Sequence, residues 1–402
     1  MTPTIPYPPE TGEAAEAVRI GGTGMDSVLG HRQFHDAGIH ATAPLPGPAD
    51  MQELHHGIES ALAEAMRRLR RSGGSNSTIA DLCLDVAAFQ KGGKRLRPIL
   101  FLLAYEGYDG IPHPGLWRGA AAIELLHTFA LTHDDIIDRS IERRGGPTLP
   151  IRMACRFAHD QGDGRPGSDL AILAGDVLFA FAMDTFLSLD FPADRVLRAL
   201  RLIVGAAVRT GCGALEELTC RMRGNCLSRI QLLKLYDEKT GMYSFVCPLQ
   251  AGAVLAGVDE DELAGLDRFG RYTGRAFQIE DDLDDLEALL DGSASPPTDE
   301  SETLLLFPVQ TAMRVLPTAD GEELRRLCFS RKKASADVTR LHSLLMQANA
   351  VTDANRQIEI SLARARQALD QLTMSCETKA RLRDYCEGMF RSSARNFPVT
   401  CP

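Results

Sequence analysis

The chain has 402 residues, of which 44% are hydrophobic and 6% aromatic, and its formal net charge is -10 at pH 7. This length and apolar content suffice for a large buried core, and the acidic balance argues against nucleic acid as a partner, because nucleic-acid-binding surfaces are normally basic. Long Ala- and Leu-rich segments whose apolar residues recur every 3.6 positions, with few alternating β-branched runs, predict an all-α protein.

Residues 1–49 are predicted to be a flexible N-terminal extension, and residues 50–402 a single all-α domain. The first segment is rich in Pro, Gly, Ala and Thr and has no sustained periodicity. It lacks the basic and apolar regions of a secretory signal, and no uninterrupted apolar run in the chain approaches the length of a membrane span. The ten cysteines form no CxxC pattern, so we expect them to be reduced. These features predict a cytoplasmic protein without a membrane span.

An amphipathic helix is predicted from Met51 to about Ser72, and the basic segment KGGKRLRP lies further along, at Lys91–Pro98. Lys94 and Arg97 lie within one turn of each other at the start of an apolar helix, where they can bind phosphate oxygens. The segment is not a nucleotide-binding P-loop, because the GxxxxGK[ST] spacing is missing and no strand precedes it.

The segment LLHTFALTHDDIIDRSIERRGGPT carries the first acidic motif. Asp134 and Asp138 are one helical turn apart, so both carboxylates project from one face, with Asp135 beside them. Acids this close on a half-buried helix repel one another and resist desolvation, whereas a divalent cation such as Mg²⁺, shared with a phosphate, removes that penalty. Arg143 and Arg144 follow directly and predict an anion site next to the metal.

A second acidic motif, FQIEDDLDD, places Asp281, Asp282 and Asp285 at the same spacing. One acid-rich helix is usually a solvated face, but two copies inside buried-looking helices favour a metal site that bridges two helices of a bundle. Between the motifs, Lys239 and Thr240 lie in the middle of a predicted continuous core helix. A buried lysine is rare unless it is paired, which favours a functional role.

In GGKRLRP, DDIIDRSIERRGGPT and FQIEDDLDD, in this order, the chain resembles the trans-isoprenyl diphosphate synthases from about Asp50 to the C-terminus. Within that family it is most similar to geranylgeranyl diphosphate synthases. The resemblance implies a single large helical bundle of the isoprenoid synthase type around a central cavity, and a homodimer. It also implies an Mg²⁺-dependent trans-prenyltransferase that condenses an allylic diphosphate with isopentenyl diphosphate.

The resemblance gives roles to the positions that match the family's motifs. Two or three Mg²⁺ ions, bound together with the diphosphate, would be held by Asp134, Asp135, Asp138, Asp281, Asp282 and Asp285. Isopentenyl diphosphate would be bound by Lys94, Arg97, His127 and Arg144, and the allylic diphosphate would contact Arg143. The groups beside the developing cation would be Lys239, Thr240 and Gln278.

Product length is expected to depend on the depth of an apolar tunnel below the first motif. In the family, residues four and five positions before the first aspartate form the floor of this tunnel, and here they are Ala130 and Phe129. This pattern resembles one class of geranylgeranyl diphosphate synthases, so a C20 product is expected.

The chain departs from the family pattern at three places. Ala214 stands where the family has a glutamine, Leu304 stands where it has a lysine, and no Lys or Arg occurs between Arg275 and Arg314. Two alternatives therefore stay open, a terpene synthase that ionises and cyclises a prenyl diphosphate on the same scaffold, and a weakly active partner subunit of a heteromeric synthase. The retained isopentenyl-binding positions argue against the first, and the two intact aspartate motifs argue against the second.

Overall fold

The computed structural model describes residues 51–157, 165–224, 226–291, 302–328 and 335–390. Within these ranges the chain is almost entirely helical, which confirms the predicted all-α class, and its strands form one short antiparallel hairpin. The predicted extension at residues 1–49 and the acidic loop at residues 292–301 lie outside the described residues.

The elements follow one another with short connections. In chain order they are α1 (Met51–Ser72), α2 (Ser77–Phe89), α3 (Leu96–Gly107), α4 (Gly115–Ile137), β1 (Glu142–Arg143), β2 (Gly146–Pro147), α5 (Leu149–Phe157), α6 (Arg165–Leu187), α7 (Ala193–Arg223), α8 (Arg229–Tyr236), a π-helical segment (Asp237–Val246), α9 (Cys247–Ala256), α10 (Glu260–Asp291), a 3₁₀ turn (Glu302–Leu305), α11 (Phe307–Val315), α12 (Thr318–Cys328), α13 (Ser335–Gln347), α14 (Ala350–Asp370) and α15 (Cys376–Glu387).

Two hydrophobic cores hold the helices together. The larger one lies mainly among α1–α7 and α9 and contains the fully buried rings of Phe101, Phe186 and Phe245. The second joins α8, the C-terminal part of α10 and α11–α14, around the buried ring of Phe307. Each large apolar side chain buried in this way contributes roughly 1.5–3 kcal/mol. Because α4 packs along α6 and α10 packs along α14, the two helices that carry the aspartate motifs are fixed by these cores.

The helix predicted to run without interruption through Lys239 contains a π-helical segment, Asp237–Val246, between α8 and α9. This segment is flanked by glycines of two neighbouring helices. A Cβ atom built on Gly274 of α10 would lie 2.5 Å from the Cα atom of Gly241, and one built on Gly213 of α7 would lie 3.1 Å from the backbone nitrogen of Lys239. The close backbone approach needs these glycines, and the wider turn changes the direction in which the segment's side chains point.

One described helix is an exception to the expected absence of a membrane-spanning segment. Residues Pro166–Leu187 in α6 are long and apolar enough to cross a membrane by length and composition alone. The core helix of a soluble protein passes the same test, and α6 contributes Leu178, Ala182 and Phe186 to the larger core. This helix is therefore weak evidence for a membrane span.

Candidate active site

The basic segment before α3 is held in place by a buried arginine. Arg95 has a left-handed backbone, with φ of 54°, and its guanidinium donates to Glu59 and Glu124 at 2.7 Å each and to the Gln90 carbonyl at 2.7 Å. These three contacts fix the backbone between Lys94, which is exposed, and the first turn of α3. Arg95 is thus structural, although the sequence motif alone does not separate it from its basic neighbours.

Arg97 lies at the centre of a partly unsatisfied polar cluster. Its Nη2 donates to the Ser244 hydroxyl at 2.7 Å, and its guanidinium lies over the Tyr243 ring, 4.5 Å from the ring centroid. Three buried atoms of this cluster lack a hydrogen-bond partner among the described residues: Arg97 Nε, His127 Nδ1 and the Tyr243 hydroxyl. Because buried polar atoms are normally paired, their concentration here indicates a place for a polar ligand.

The charged groups around His127 are arginines, which favour the binding of an anion. Burial, followed by the positive charges of Arg97, Arg144, Arg143 and Arg95, holds the pKa of His127 well below its usual 6.5. The imidazole is therefore neutral at pH 7, while the guanidinium groups around it stay charged. The structure thus brings Arg97, His127 and Arg144 together, and their role as an anion site stays a prediction.

The β1–β2 hairpin presents the two arginines that follow the first motif. Arg143 pairs with Gly146 across the hairpin, and the turn residues Arg144 and Gly145 both have positive φ. Arg143 donates from Nε at 2.8 Å and from Nη2 at 2.7 Å to one oxygen of Asp135. The Arg144 guanidinium lies against Gly93, where an added Cβ atom would come within 2.9 Å of its Nη1 atom. The hairpin therefore links the first aspartate motif to the KGGK segment.

The first aspartate motif occupies the C-terminal end of α4. Asp135 is 1% exposed, and its second carboxylate oxygen has no hydrogen-bond partner in the described structure. Asp138 caps the helix and lies 3.3 Å from the Arg221 guanidinium. Burial raises the pKa of both Asp135 and Asp138, and the charge of Asp134 adds to this effect. The cluster therefore carries more negative charge than its arginine partners stabilise.

The second aspartate motif lies on α10 and has two environments. Burial, together with the neighbouring acids Asp281 and Asp284, raises the pKa of Asp285 to about 6. Asp282 is instead enclosed: it accepts hydrogen bonds from the Tyr236 hydroxyl, from Gln278 Nε2 at 3.0 Å and from the Phe307 backbone amide at 2.7 Å. Burial raises the pKa of Asp282 to about 7 even though these three donors act to lower it.

Asp282 therefore joins α10 to α8 and α11, and its role as a metal ligand stays a prediction.

Lys239 lies between the two aspartate motifs. Its Nζ is 2.5 Å from Glu217 of α7. Burial acts to lower the pKa of Lys239, but the charges of Glu217 and Asp134 outweigh it and raise the pKa. The charge of Lys239 also acts against the burial that raises the pKa of Asp138, Asp281 and Asp285. One ammonium group thus acts electrostatically on carboxylates from both motifs, and the functional role expected for this lysine stays a prediction.

The other two predicted groups beside the reacting centre contact each other. The Thr240 hydroxyl donates to Gln278 Oε1 at 2.6 Å, and Gln278 Nε2 in turn donates to Asp282. This hydrogen-bonded series connects the π-helical segment to α10 and fixes the orientation of the amide. The catalytic roles of Lys239, Thr240 and Gln278 stay predictions.

The carboxylates fit a divalent cation only together with a further ligand. In the part of the chain that the structure describes, no three His, Cys, Asp or Glu side chains lie close enough to form a metal site by themselves. Burial and neighbouring carboxylates nevertheless raise the pKa of Asp138, Asp281 and Asp285, so additional positive charge would stabilise their ionised forms. Hard oxygen donors of this kind suit Mg²⁺ when a phosphate completes the coordination.

An aromatic cluster lies on α4, just over one helical turn N-terminal to the first motif. Phe129 packs against Phe179 of α6, with ring centroids 5.1 Å apart, and against His133, with centroids 4.7 Å apart. Phe129 and Ala130 are both half-buried, and their predicted role in product length is not tested by these contacts.

Three residues of the site were missed at the level of sequence: Glu217, Arg221 and Tyr243. Glu217 and Arg221 are one turn apart on α7, and their guanidinium–carboxylate contact is 2.5 Å. In the segment Gly213–Leu218 the departure from the family pattern is Ala214 in place of a glutamine, whereas the residue that contacts Lys239 is Glu217. Tyr243 lay in an apolar run that reads as core, so only its polar hydroxyl could have marked it.

The sequence profile of the polyprenyl synthetase family matches residues 84–345. The chain belongs to this family. A farnesyl diphosphate synthase of Geobacillus stearothermophilus is 30% identical over 304 residues, which are 69% of this chain and 94% of the relative. A geranylgeranyl diphosphate synthase of Sulfolobus acidocaldarius is 32% identical over 197 residues, or 48% of this chain and 55% of the relative.

The fold of this polyprenyl synthetase is shared with solved structures. A geranylgeranyl pyrophosphate synthase from Corynebacterium glutamicum, complexed with isoprenyl diphosphate and magnesium, superposes with a TM-score of 0.74 at 22% identity and covers 85% of this chain and 99% of its own. The predicted helical bundle of the isoprenoid synthase type is confirmed, and so is the predicted class of enzyme, a trans-prenyltransferase. The names of the relatives differ in product length, so the C20 product stays a prediction.

Proposed function

We propose that the protein condenses an allylic diphosphate with isopentenyl diphosphate in the presence of Mg²⁺ and releases a longer trans-prenyl diphosphate. The observation that carries this proposal is the pairing of two anion sites. One is the cluster of Arg97, His127 and Tyr243 with its unpartnered buried atoms. The other is the group of cations around the aspartates, Arg143 and Lys239. An enzyme that acts on a single prenyl diphosphate needs only one of these sites.

We assign separate sets of residues to the two diphosphates. Lys94, Arg97, His127 and Arg144 would bind isopentenyl diphosphate, and the neutral imidazole of His127 could accept or donate a hydrogen bond at Nδ1. Arg143 would bind the allylic diphosphate. Mg²⁺ held by Asp134, Asp135, Asp138, Asp281 and Asp285, with Asp282 behind them, would neutralise that diphosphate and improve it as a leaving group.

Charge placement at the reacting centre supports the same assignment. Lys239 is held by Glu217, and Thr240 and Gln278 are held by each other and by Asp282. Fixed charges and dipoles of this kind stabilise or direct charge that develops during the reaction without first having to reorient. We assign them to the allylic side of the site.

Purified protein with Mg²⁺ and each of dimethylallyl, geranyl, farnesyl and geranylgeranyl diphosphate tests the proposal, with and without isopentenyl diphosphate. We expect longer diphosphates only when isopentenyl diphosphate is present, with the C20 diphosphate as the main product. Hydrocarbons or alcohols formed without it would contradict the proposal in favour of the cyclase alternative. Inactivity in every mixture would point to a partner subunit.

We also propose that the protein forms a homodimer. The support is an apolar stripe on α7, made of Leu197, Val204, Val208, Leu215 and Met222, which are 52%, 40%, 61%, 67% and 79% exposed. These residues are separated by seven, four, seven and seven positions and so share one helical face. A contiguous exposed apolar face of this length is typical of an interface. The cytoplasmic location expected from the sequence stays a prediction.

A further inference from the structure

Arg221 is a buried arginine at the end of α7 that the roles given above leave unused. It is 9% exposed and lies in the last turn of the helix. Its Nη1 atom is 3.3 Å from Asp138 of the first motif, and its Nη2 atom is 2.5 Å from Glu217. A buried guanidinium in contact with a predicted metal-binding aspartate is part of the active site rather than of the surface.

Glu217 connects Arg221 to Lys239. The carboxylate accepts from Arg221 on one oxygen and from Lys239 on the other. Burial acts to raise the pKa of Glu217, but the two cations outweigh it and lower the pKa. Asp138, Arg221, Glu217 and Lys239 therefore form one continuous series of ion pairs that runs from the first aspartate motif to Lys239. Glu217 aligns two cations side by side in this series.

The sequence around and after the second motif contains no cation. From Ala276 to Met313 the sequence contains ten acidic residues and no Lys or Arg. An allylic diphosphate carries several negative charges, and divalent cations alone leave part of its oxygens without donors. Arg143, which is assigned to this diphosphate, also makes two short contacts to Asp135, so only part of its donor capacity is left for the ligand. Lys239 acts electrostatically on acids of both motifs and Arg221 contacts Asp138 of the first, so the two cations that Glu217 aligns can add donors beside Arg143.

We propose that Arg221 is a further binding residue for the allylic diphosphate, acting beside Lys239; this inference rests on the proposed function. The planar guanidinium has donors in a fixed fork. Nη2 holds the shorter contact, to Glu217, and Nη1 the longer one, to Asp138. A diphosphate oxygen can therefore replace Asp138 at Nη1 while the Glu217 contact keeps the side chain in place. Asp138 is then released to face a cation.

The test compares Arg221→Ala and Arg221→Lys with Arg223→Ala, a control that removes an exposed arginine two residues further along α7. Kinetics are measured at saturating Mg²⁺ with each substrate varied in turn. For Arg221→Ala we expect the KM of the allylic diphosphate to rise about ten- to a hundredfold, and the KM of isopentenyl diphosphate to change less than about twofold. For Arg221→Lys we expect a KM for the allylic diphosphate between those of wild type and Arg221→Ala, because the ammonium keeps the positive charge but lacks the planar set of donors.

Two measurements separate binding from a structural role. Added guanidinium ion at millimolar concentration should restore part of the allylic affinity of Arg221→Ala, and Arg223→Ala should behave as wild type. Calorimetric titration with inorganic pyrophosphate should show that the Mg²⁺-dependent binding is weaker in Arg221→Ala. An unchanged allylic KM, or an equal loss for both substrates together with a lower melting temperature, would overturn the proposal.

The pyrophosphate titration also distinguishes the two proposals. If the wild-type protein makes no longer diphosphate, the proposed function fails. The Mg²⁺-dependent binding of pyrophosphate to wild type and to Arg221→Ala still decides the role of Arg221. Equal binding by both proteins would reject that role, whatever the activity of the wild type.

Discussion

At the scale of single residues, the proposed isopentenyl side of the site contains polar atoms that the fold buries without a hydrogen-bond partner among the described residues. Leaving a buried donor or acceptor unpaired costs about 1–3 kcal/mol. The protein does this for Arg97 Nε, His127 Nδ1 and the Tyr243 hydroxyl, which come from α3, α4 and the π-helical segment. A ligand that pairs with these atoms recovers that free energy, so this part of the site is prepared for its ligand before binding.

The buried imidazole should make stability depend on pH. Burial and the surrounding arginines hold the pKa of His127 below 6.5 in the folded state. The unfolded chain therefore binds the proton more readily, and the free energy of unfolding should fall as the pH drops below about 6.5. Between pH 7.5 and 5.5, wild type should lose about 1 kcal/mol more than His127→Asn. Urea unfolding at both pH values measures this, and equal losses would contradict the neutral, buried assignment.

Asp134 should be indispensable for turnover. It is half-exposed on the face of α4 that meets Arg143 and Lys239, and the proposed function uses it to hold Mg²⁺. Asp134→Ala should lower kcat at least about a thousandfold with every allylic substrate while the melting temperature stays within a few degrees. The control is Asp261→Ala, which removes an exposed acid in the first turn of α10. Near-normal activity of Asp134→Ala would disprove the metal assignment.

At the scale of elements, the two helices that carry the aspartates could be predicted, but the π-helical segment between them could not. The apolar positions of α4 and α10 repeat every 3.6 residues, and that pattern is local. The π-helical segment arises where Gly213, Gly241 and Gly274 bring three backbones together. Single glycines in a helical pattern do not reveal their packing partners, so the altered direction of Lys239 and Thr240 was not predictable.

The contact between Gly274 and Gly241 gives an element-scale prediction. Because an added Cβ atom on Gly274 would lie 2.5 Å from the backbone of Gly241, Gly274→Ala must push the π-helical segment away from α10. We expect the Thr240–Gln278 hydrogen bond to be lost, kcat to fall about tenfold or more, and the free energy of unfolding to drop by about 1–3 kcal/mol. Gly321→Ala, at a site with open space, should be neutral or stabilising. Wild-type kinetics for Gly274→Ala would argue against this packing.

The aromatic cluster between α4 and α6 gives a prediction about product length. Phe129→Ala should lengthen the product, because it removes the ring that is predicted to form the floor of the tunnel. Phe179 packs on that ring, so Phe129→Ala combined with Phe179→Ala should give longer products than either change alone. Phe181→Ala is a matched control, since the Phe181 ring faces Arg68 of α1. Chromatography of the prenyl chains measures the distribution, and no change would place the tunnel floor elsewhere.

At the scale of the whole molecule, the sequence identified charged motifs but not the contacts that align them. GGKRLRP and the two aspartate motifs are short and rich in charge, so their chemistry is visible without a fold. The partner of Lys239 is Glu217 and that of Asp282 is Tyr236, each on a different helix. Such pairs depend on how the helices pack against one another, which local periodicity does not predict. The contacts of Arg221 could not be predicted from the sequence for the same reason.

The apolar stripe on α7 predicts how the whole molecule assembles. If a second copy of the chain covers the stripe, a charge introduced at the centre of the stripe would be desolvated in the dimer. That desolvation costs several kcal/mol unless the charge is paired. Leu215→Asp combined with Val208→Asp should therefore convert a dimer into a monomer in size-exclusion chromatography with light scattering. Ile111→Asp, which alters an exposed residue between α3 and α4, should leave the mass unchanged. A wild-type protein that is monomeric at micromolar concentration would refute the dimer, and a charged stripe that still dimerises would place the interface on another face.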